Sequence, residues 1–328
     1  STPIKSSAAS DVYKRQDYET YEVKDMFGIS HRLKDIKMIT TDNAIKWKKF
    51  MNLMGDTPAE AYQYWCDRVE ADSCCWGIVK TDHPSKHGSG QQMSYQMINT
   101  LPSYNPDSAY PCCYVDEIRE LAKESVDYVE SMKKDNVIYA KYLRKNATVV
   151  NHYKMLAKLY DWENTFENST WFRLEKRKII NVYVNRLRTG KIVINGDNLT
   201  IFGNPYALLM TAVGENPEDD PTLKVEPGTI QCYTTRFSDG EYLCGIRNPH
   251  NSPNNICYLH NHYTPELKRY FKISKNIMFV NCIRTDVQDR ANGCDFDSDF
   301  FFVTNNNVMV QSAKVAYKQY PTLSLIHI

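Results

Sequence analysis

Apolar residues recur at three- and four-residue spacing through 115–145: Ile118, Leu121, Ala122, Val126, Val129 and Met132, with Glu and Lys between them. That period predicts one amphipathic helix. A second helix is predicted at about 168–188, with Phe172, Ile179, Ile180, Tyr183, Val184 and Leu187 on one side. Residues 58–70 suit a third, with Pro58 in its first turn. Ile36–Thr41 and Trp76–Val79 suit strands, and Thr81–Gln92 is a polar loop of Gly, Ser, His and Pro. Near residue 190 the pattern changes. From there come short β-branched and aromatic runs separated by Gly, Asn, Asp and Pro: Lys191–Asn195, Leu199–Phe202, Thr229–Arg236, Tyr242–Arg247, Asn276–Val280 and Phe300–Thr304. Glu215–Pro221 reads as an exposed acidic loop, and there is no internal repeat. The fold class expected is α+β, a helical N-terminal half followed by a β-rich half.

The chain has 328 residues, 42% of them hydrophobic and 24% charged, which is enough to bury a core and unlike a disordered tail. No run approaches 18 consecutive apolar residues, so no membrane span is expected. Forty Lys and Arg against 39 Asp and Glu exclude gross polycation behaviour, but the charge is unevenly spread. Residues 133–191 hold 14 cations against five carboxylates, with Tyr and Trp among them. Such a segment is either a solvated helix face or a surface that tracks a phosphate backbone. Ten cysteines without a C-x-x-C pair read as reduced thiols, not as a zinc framework.

Both ends read as foreign. Residues 11–16 are Asp-Val-Tyr-Lys-Arg-Gln and 323–328 are Leu-Ser-Leu-Ile-His-Ile. One coding of the first, GAT GTG TAT AAG AGA CAG, has a reverse complement that translates as the second. That DNA looks like a transposase adapter, so 1–16 and 323–328 are expected to be translated adapter.

The string that carries chemistry is Ala291-Asn292-Gly293-Cys294-Asp295-Phe296-Asp297-Ser298-Asp299. Carboxylates at i, i+2 and i+4 fall on one side of an extended strand. Like charges that close repel, and a hard divalent cation with a preference for oxygen relieves the cost. Phe296, Phe300, Phe301, Phe302 and Val303 would back such a site with a core. A solvated acidic turn is the other reading. An EF-hand is excluded, because its Gly and Glu positions hold Phe300 and Asn306. His260 and His262 flank Asn261 without a third ligand at zinc spacing. Trp65, Trp76, Tyr95 and Tyr104 are expected to be core aromatics.

Upstream lie Arg247-Asn248-Pro249-His250-Asn251-Ser252-Pro253, preceded by Ile201-Phe202-Gly203-Asn204-Pro205 and Gly228-Thr229-Ile230-Gln231-Cys232. In this order the segments resemble the catalytic double-psi β-barrel of the cellular, RNA-silencing type of RNA-dependent RNA polymerases. That family shares its barrel with the largest subunit of multisubunit RNA polymerases. Arg247, Asn248, Pro249, Pro253, Gly293, Asp295, Asp297 and Asp299 match its pattern. Ser298 replaces a family Gly, and Asn255 replaces an acidic residue. Homologues from gut bacteria and their phages look closer still in style, sharing the Asp-x-Asp-Ser-Asp form.

The resemblance covers about 198–305 and implies a Mg²⁺- or Mn²⁺-dependent nucleotidyltransferase. Asp295, Asp297 and Asp299 would be catalytic metal ligands, and Arg247 would face the sugar of the incoming nucleotide. Lys80 and Lys86, beside Gly88 in the 79–88 loop, are candidates for phosphate contact from an upstream barrel. The implied partners are a nucleic-acid template, nascent RNA and nucleoside triphosphates, with no membrane, in the cytoplasm of a bacterium or a phage-infected one. The organisation expected is 17–110 mixed α/β, with the tail of an upstream barrel as one reading of it, 111–190 a basic helical connector, and 191–322 the double-psi barrel. A fragment lacking its partner barrel would be inactive. The competing reading is a nucleic-acid-binding protein of a mobile element, with a structural metal turn and no polymerase activity.

Overall fold

A computed structural model describes residues 19–25, 27–36, 51–71, 93–97, 115–163, 165–247, 253–296 and 299–322. The strand expected at Trp76–Val79, the 81–92 loop, and most of Ile36–Thr41 lie outside them, as do both adapter-like ends.

Strands β1 (Glu22–Lys24) and β2 (Ser30–Arg32) pair as a small antiparallel hairpin, followed by helix α1 (Pro58–Glu70). Strand β3 spans Met93–Met97. The long helix expected at 115–145 is two: α2 (Val115–Lys134) and α3 (Asn136–Lys145). Asp135 makes the break. Its backbone is extended, and its carboxylate accepts from the amides of Val137 and Ile138, so it caps α3 instead of continuing α2. Helices α4 (Tyr153–Trp162) and α5 (Thr170–Arg188) complete a helical layer, with Ser169 capping α5. The four helices enclose Met132, Tyr139, Leu143, Leu156, Phe172, Ile180 and Tyr183.

Strand β4 (Lys191–Phe202) runs through the point where two separate strands were expected. Gly196 breaks the apolar pattern there, and the reason is close approach. A Cβ at Gly196 would strike the ring of Phe302 and lie 2.8 Å from the Val303 carbonyl. Helix α6 (Pro205–Ala212) follows, then β5 (Val225–Glu226), β6 (Thr229–Tyr233), β7 (Tyr242–Ile246) and β8 (Ile256–Asn261). The chain goes on through α7 (Pro265–Tyr270), β9 (Ile277–Val280), α8 (Val287–Arg290), β10 (Phe300–Thr304) and α9 (Asn307–Gln319).

Six of these strands close a barrel in the order β4–β10–β7–β8–β6–β9 and back to β4. The pairings β4–β9 and β6–β8 are parallel, and the other four are antiparallel. Exchanging β4 with β8, β6 with β9 and β7 with β10 maps this set of pairings onto itself. The barrel is therefore two interleaved three-strand halves of the same topology. Its interior is filled by alternate residues of each strand, among them Leu199, Ile201, Leu243, Leu259, Val280, Phe301 and Val303, all at 0% exposure. The opposite faces of β7, β8 and β10 carry Cys244, Ile246, Ile256, Tyr258 and Phe302. Helix α9 covers them with Val308, Met309, Ala313 and Ala316. Leu121 of α2 joins the same cluster against Ile192 and Ile194, and the Ser125 hydroxyl accepts from the Val193 amide at 2.8 Å. This contact ties the helical layer to the barrel. No helix among the described residues is long and apolar enough to cross a membrane.

Candidate active site

Where it is described, the acidic string is not a strand. Its described part, 291–296 and 299, is turn and irregular backbone, and β10 begins only at Phe300. The expectation that alternation would set the carboxylates on one side of an extended strand is thus corrected. Helix α8 ends at Arg290, and Asn292 (φ 57°) and Gly293 (φ 65°) then turn the chain through the left-handed region. Asn and Gly are the residues that reach that region at least cost, so the turn is written in the sequence. The loop next folds back on itself: the Asp295 amide donates to the Asp299 Oδ2 at 3.2 Å.

Arg247 stands at the end of β7 and faces this loop. Its Nη2 lies 3.0 Å from Asp299 Oδ2, and its Nη1 donates to the carbonyls of Ala291 at 3.2 Å and Asn292 at 3.3 Å. The guanidinium thus clamps both ends of the acidic loop with fixed donors, which an ammonium could not do with one geometry. Cys294 is buried beneath, its amide donating to the Gln288 carbonyl at 3.1 Å. Burial, and then the nearby Asp299 charge, push its thiol up to about 12, so it is a packing group.

Two further segments meet the loop. Gly203, just past β4, approaches so closely that a Cβ would sit 2.9 Å from Cys282 Sγ and 3.0 Å from the Phe296 ring. Asn204 beside it is buried, and its amide donates to Asp220 Oδ2 and Asn281 Oδ1, each at 3.1 Å. On the other side, the Asn255 side chain donates to the Arg290 carbonyl at 2.9 Å. Arg290 itself is almost fully buried. It pairs with Asp286 at 2.8 Å, donates to the carbonyls of Asn254 and Tyr320, and lies over the Tyr317 ring. Residues 203–204, 247, 255, 291–296 and 299 therefore converge at one end of the barrel. Asn255, where the family pattern has an acidic residue, has a structural task here.

Asp295, Asp299 and Arg247 are brought together, while Asp297, Ser298, Lys80 and Lys86 lie outside the described residues. Carboxylate oxygens at 295 and 299 suit a hard divalent cation. Among the described residues no three His, Cys, Asp or Glu side chains cluster as a metal site. That includes His260, whose Nδ1 is 2.8 Å from Glu226 Oε2. Of the expected core aromatics, the described Trp65 is half-buried and its indole N–H meets Met54 Sδ. Cys66, Cys232, Cys257, Cys282 and Cys294 are free thiols. The Asn204–Asp220–Asn281 network and Arg290 were missed in the sequence, because partners up to 77 residues apart leave no local signal.

No protein-family model matches the chain, and no curated protein sequence matches it. Among solved structures, it is similar to the RNA dependent RNA polymerase QDE-1 from Thielavia terrestris, at 12% identity with a TM-score of 0.43. The match covers 60% of this chain and 22% of that chain.

Proposed function

We propose that this chain carries the catalytic barrel of a template-dependent RNA polymerase, of the double-psi type, which joins nucleotides with release of pyrophosphate. The observation that carries the reading is the Arg247–Asp299 contact at 3.0 Å. It joins the Arg-Asn-Pro segment to the acidic loop at one end of a closed barrel, the two motifs on which the sequence resemblance is most specific. The exchange symmetry of the six strands supports a barrel built from two interlocked halves.

In this reading Asp295, Asp297 and Asp299 hold Mg²⁺ or Mn²⁺. The chemistry such an ion supplies when bound is acidification of the attacking 3′-hydroxyl and neutralisation of phosphate charge. The chain's own residues do the positioning. Arg247 offers several fixed donors to the sugar of an incoming nucleotide. The buried Arg290 and Asn255 hold the base of the acidic loop still, so the carboxylates need little reordering when charge arrives. Lys80 and Lys86 would face the triphosphate. The partners are template, nascent RNA and nucleoside triphosphates, and the setting is bacterial cytoplasm.

The test has two arms. Mn²⁺ binding to this chain, followed by electron paramagnetic resonance, should weaken at least tenfold in Asp295→Asn and Asp299→Asn. Ribonucleotide incorporation by the parent protein on single-stranded RNA and DNA should fall by more than a hundredfold in Asp297→Ala. Unchanged Mn²⁺ affinity together with unchanged incorporation would refute the assignment. A second reading, a nucleic-acid-binding protein of a mobile element with a structural metal turn and no polymerase activity, draws on the 14 cations against five carboxylates of residues 133–191 and on Ser298 in place of Gly. It predicts salt-dependent binding with no incorporation.

A further inference from the structure

Helix α4 presents a stripe that neither the barrel nor the acidic loop uses. Lys154, Lys158 and Trp162 fall at i, i+4 and i+8, so they lie on one face. They line an open groove of about 550 Å³ together with Met155, Leu159, Val149 and His152. Trp162 is 86% exposed and Val149 fully so, a large apolar surface for a soluble helix to leave in water. Among the described residues no carboxylate lines the groove. The acidic groups nearest in sequence are engaged. Asp161 pairs with Arg144, and the Glu163 carboxylate accepts from the amide and hydroxyl of Thr165 at 3.0 and 2.8 Å. Glu175 is held by His152 and Lys178, at 3.0 and 2.8 Å. The groove is thus cationic and apolar together, within a segment of 14 cations against five carboxylates.

We infer that this groove binds single-stranded nucleic acid, with a base stacked on Trp162 and successive phosphates on Lys158 and Lys154. Charge complementarity selects a polyanion over a second copy of this chain, because two copies would face lysine with lysine. The free indole face selects a strand with unpaired bases, since a duplex hides its base faces while a single strand offers one per nucleotide. The assignment is independent of the chemistry at the barrel, and it would stand if the acidic loop proved purely structural.

The experiment is fluorescence anisotropy of labelled 20-nucleotide oligo-dT and oligo-U, with a duplex of equal length as control, over a range of salt. Lys154→Glu with Lys158→Glu should weaken single-strand binding at least tenfold. The slope of log affinity against log salt should fall by about 1.4, two phosphates at about 0.7 each. Trp162→Ala should cost about fivefold or more on single strands and leave the duplex unchanged. These side chains are exposed, so circular dichroism should be unaltered. Unchanged affinity in both variants overturns the inference, and so does an equal loss on duplex and single strand. If Trp162→Ala instead turns a dimer into a monomer, the groove is a self-association surface and the inference falls. Asp295→Asn should leave binding intact, which separates this outcome from failure of the polymerase reading.

Discussion

Arg247 shows how much one side chain can settle at the residue scale. Three of its contacts, to Asp299 and to the carbonyls of Ala291 and Asn292, hold a loop whose described part is turn and irregular backbone. Each charge-assisted bond is roughly twice as strong as a neutral one. The residue is therefore both the organiser of the acidic loop and, in the proposed reaction, a donor to substrate. A second charged contact, away from the loop, gives a pH test. Glu226 Oε2 accepts from Gln231 Nε2 at 2.9 Å and lies 2.8 Å from His260 Nδ1. Partial burial alone would raise this carboxyl, but the His260 and Gln231 hydrogen bonds outweigh it and hold the group below its ordinary value of 4.5. A carboxyl lowered in the folded state stabilises the fold above its unfolded value and loses that contribution as pH falls through the folded one. Glu226→Gln should therefore lower the urea midpoint at pH 7, and the gap from wild type should close as pH drops below about 4.5. A gap that persists at pH 3 would mean that the ionised carboxylate contributes nothing.

At the scale of elements, Asp135 decides whether the helical layer has one long rod or two helices. Its carboxylate accepts from the Val137 and Ile138 amides, at 2.7 and 3.4 Å, and its loss would leave two amide donors without a cap. Asp135→Ala should cost about 1 kcal/mol, read as a lower denaturant midpoint with an unchanged slope. Asp135→Asn should recover most of it. Val129 and Met132 before the break and Tyr139 and Leu143 after it share one core, and the apolar period carries no information about a single extended residue. The barrel strands were legible where a short apolar run is bounded by Gly, Asn or Asp, as in Phe300–Thr304 and Tyr242–Ile246, each buried at every position but its first. Strand β8 was not read, since its apolar run of Ile256, Cys257, Tyr258 and Leu259 lies between Asn254-Asn255 and His260-Asn261-His262, which draw the eye as turn and candidate ligands. Helices α4, α6 and α9 also went unread. The Asn306 cap of α9 lies among three asparagines that look like a loop, and the helix shows its purpose only when the outer barrel face needs a cover. Of the site, Asp295, Asp299 and Arg247 were legible as motif residues. Their mutual placement depends on a barrel that closes over 100 residues of chain.

Among the described residues the helical core and the barrel interior meet at one seam, and this predicts how disturbance should travel. One core lies among α2, α3, α4 and α5, and the other fills the barrel. The seam is β4 with α2, through Leu121, Ile192 and Ile194 and the Ser125 hydrogen bond. Strand β10 is the one that closes the barrel, since it pairs with β4 on one side and β7 on the other. It begins one residue after Asp299, and the Ile201 amide donates to the Asp299 carbonyl at 3.0 Å. Whatever loosens β10 must therefore loosen the acidic loop. Phe301 points into the barrel and Phe172 into the helical core, and both are fully or almost fully buried. Truncating either to Ala should cost a similar amount, about 3–5 kcal/mol. Their consequences for the site should differ. In hydrogen exchange, Phe301→Ala should speed exchange in peptides covering 291–304 and 242–247, with weaker effects at 115–145. Phe172→Ala should speed exchange across 136–188 and leave 291–304 close to wild type. Equal acceleration of 291–304 by both would mean that the layers unfold as one unit, and that the geometry around Asp299 depends on the helices as much as on the barrel.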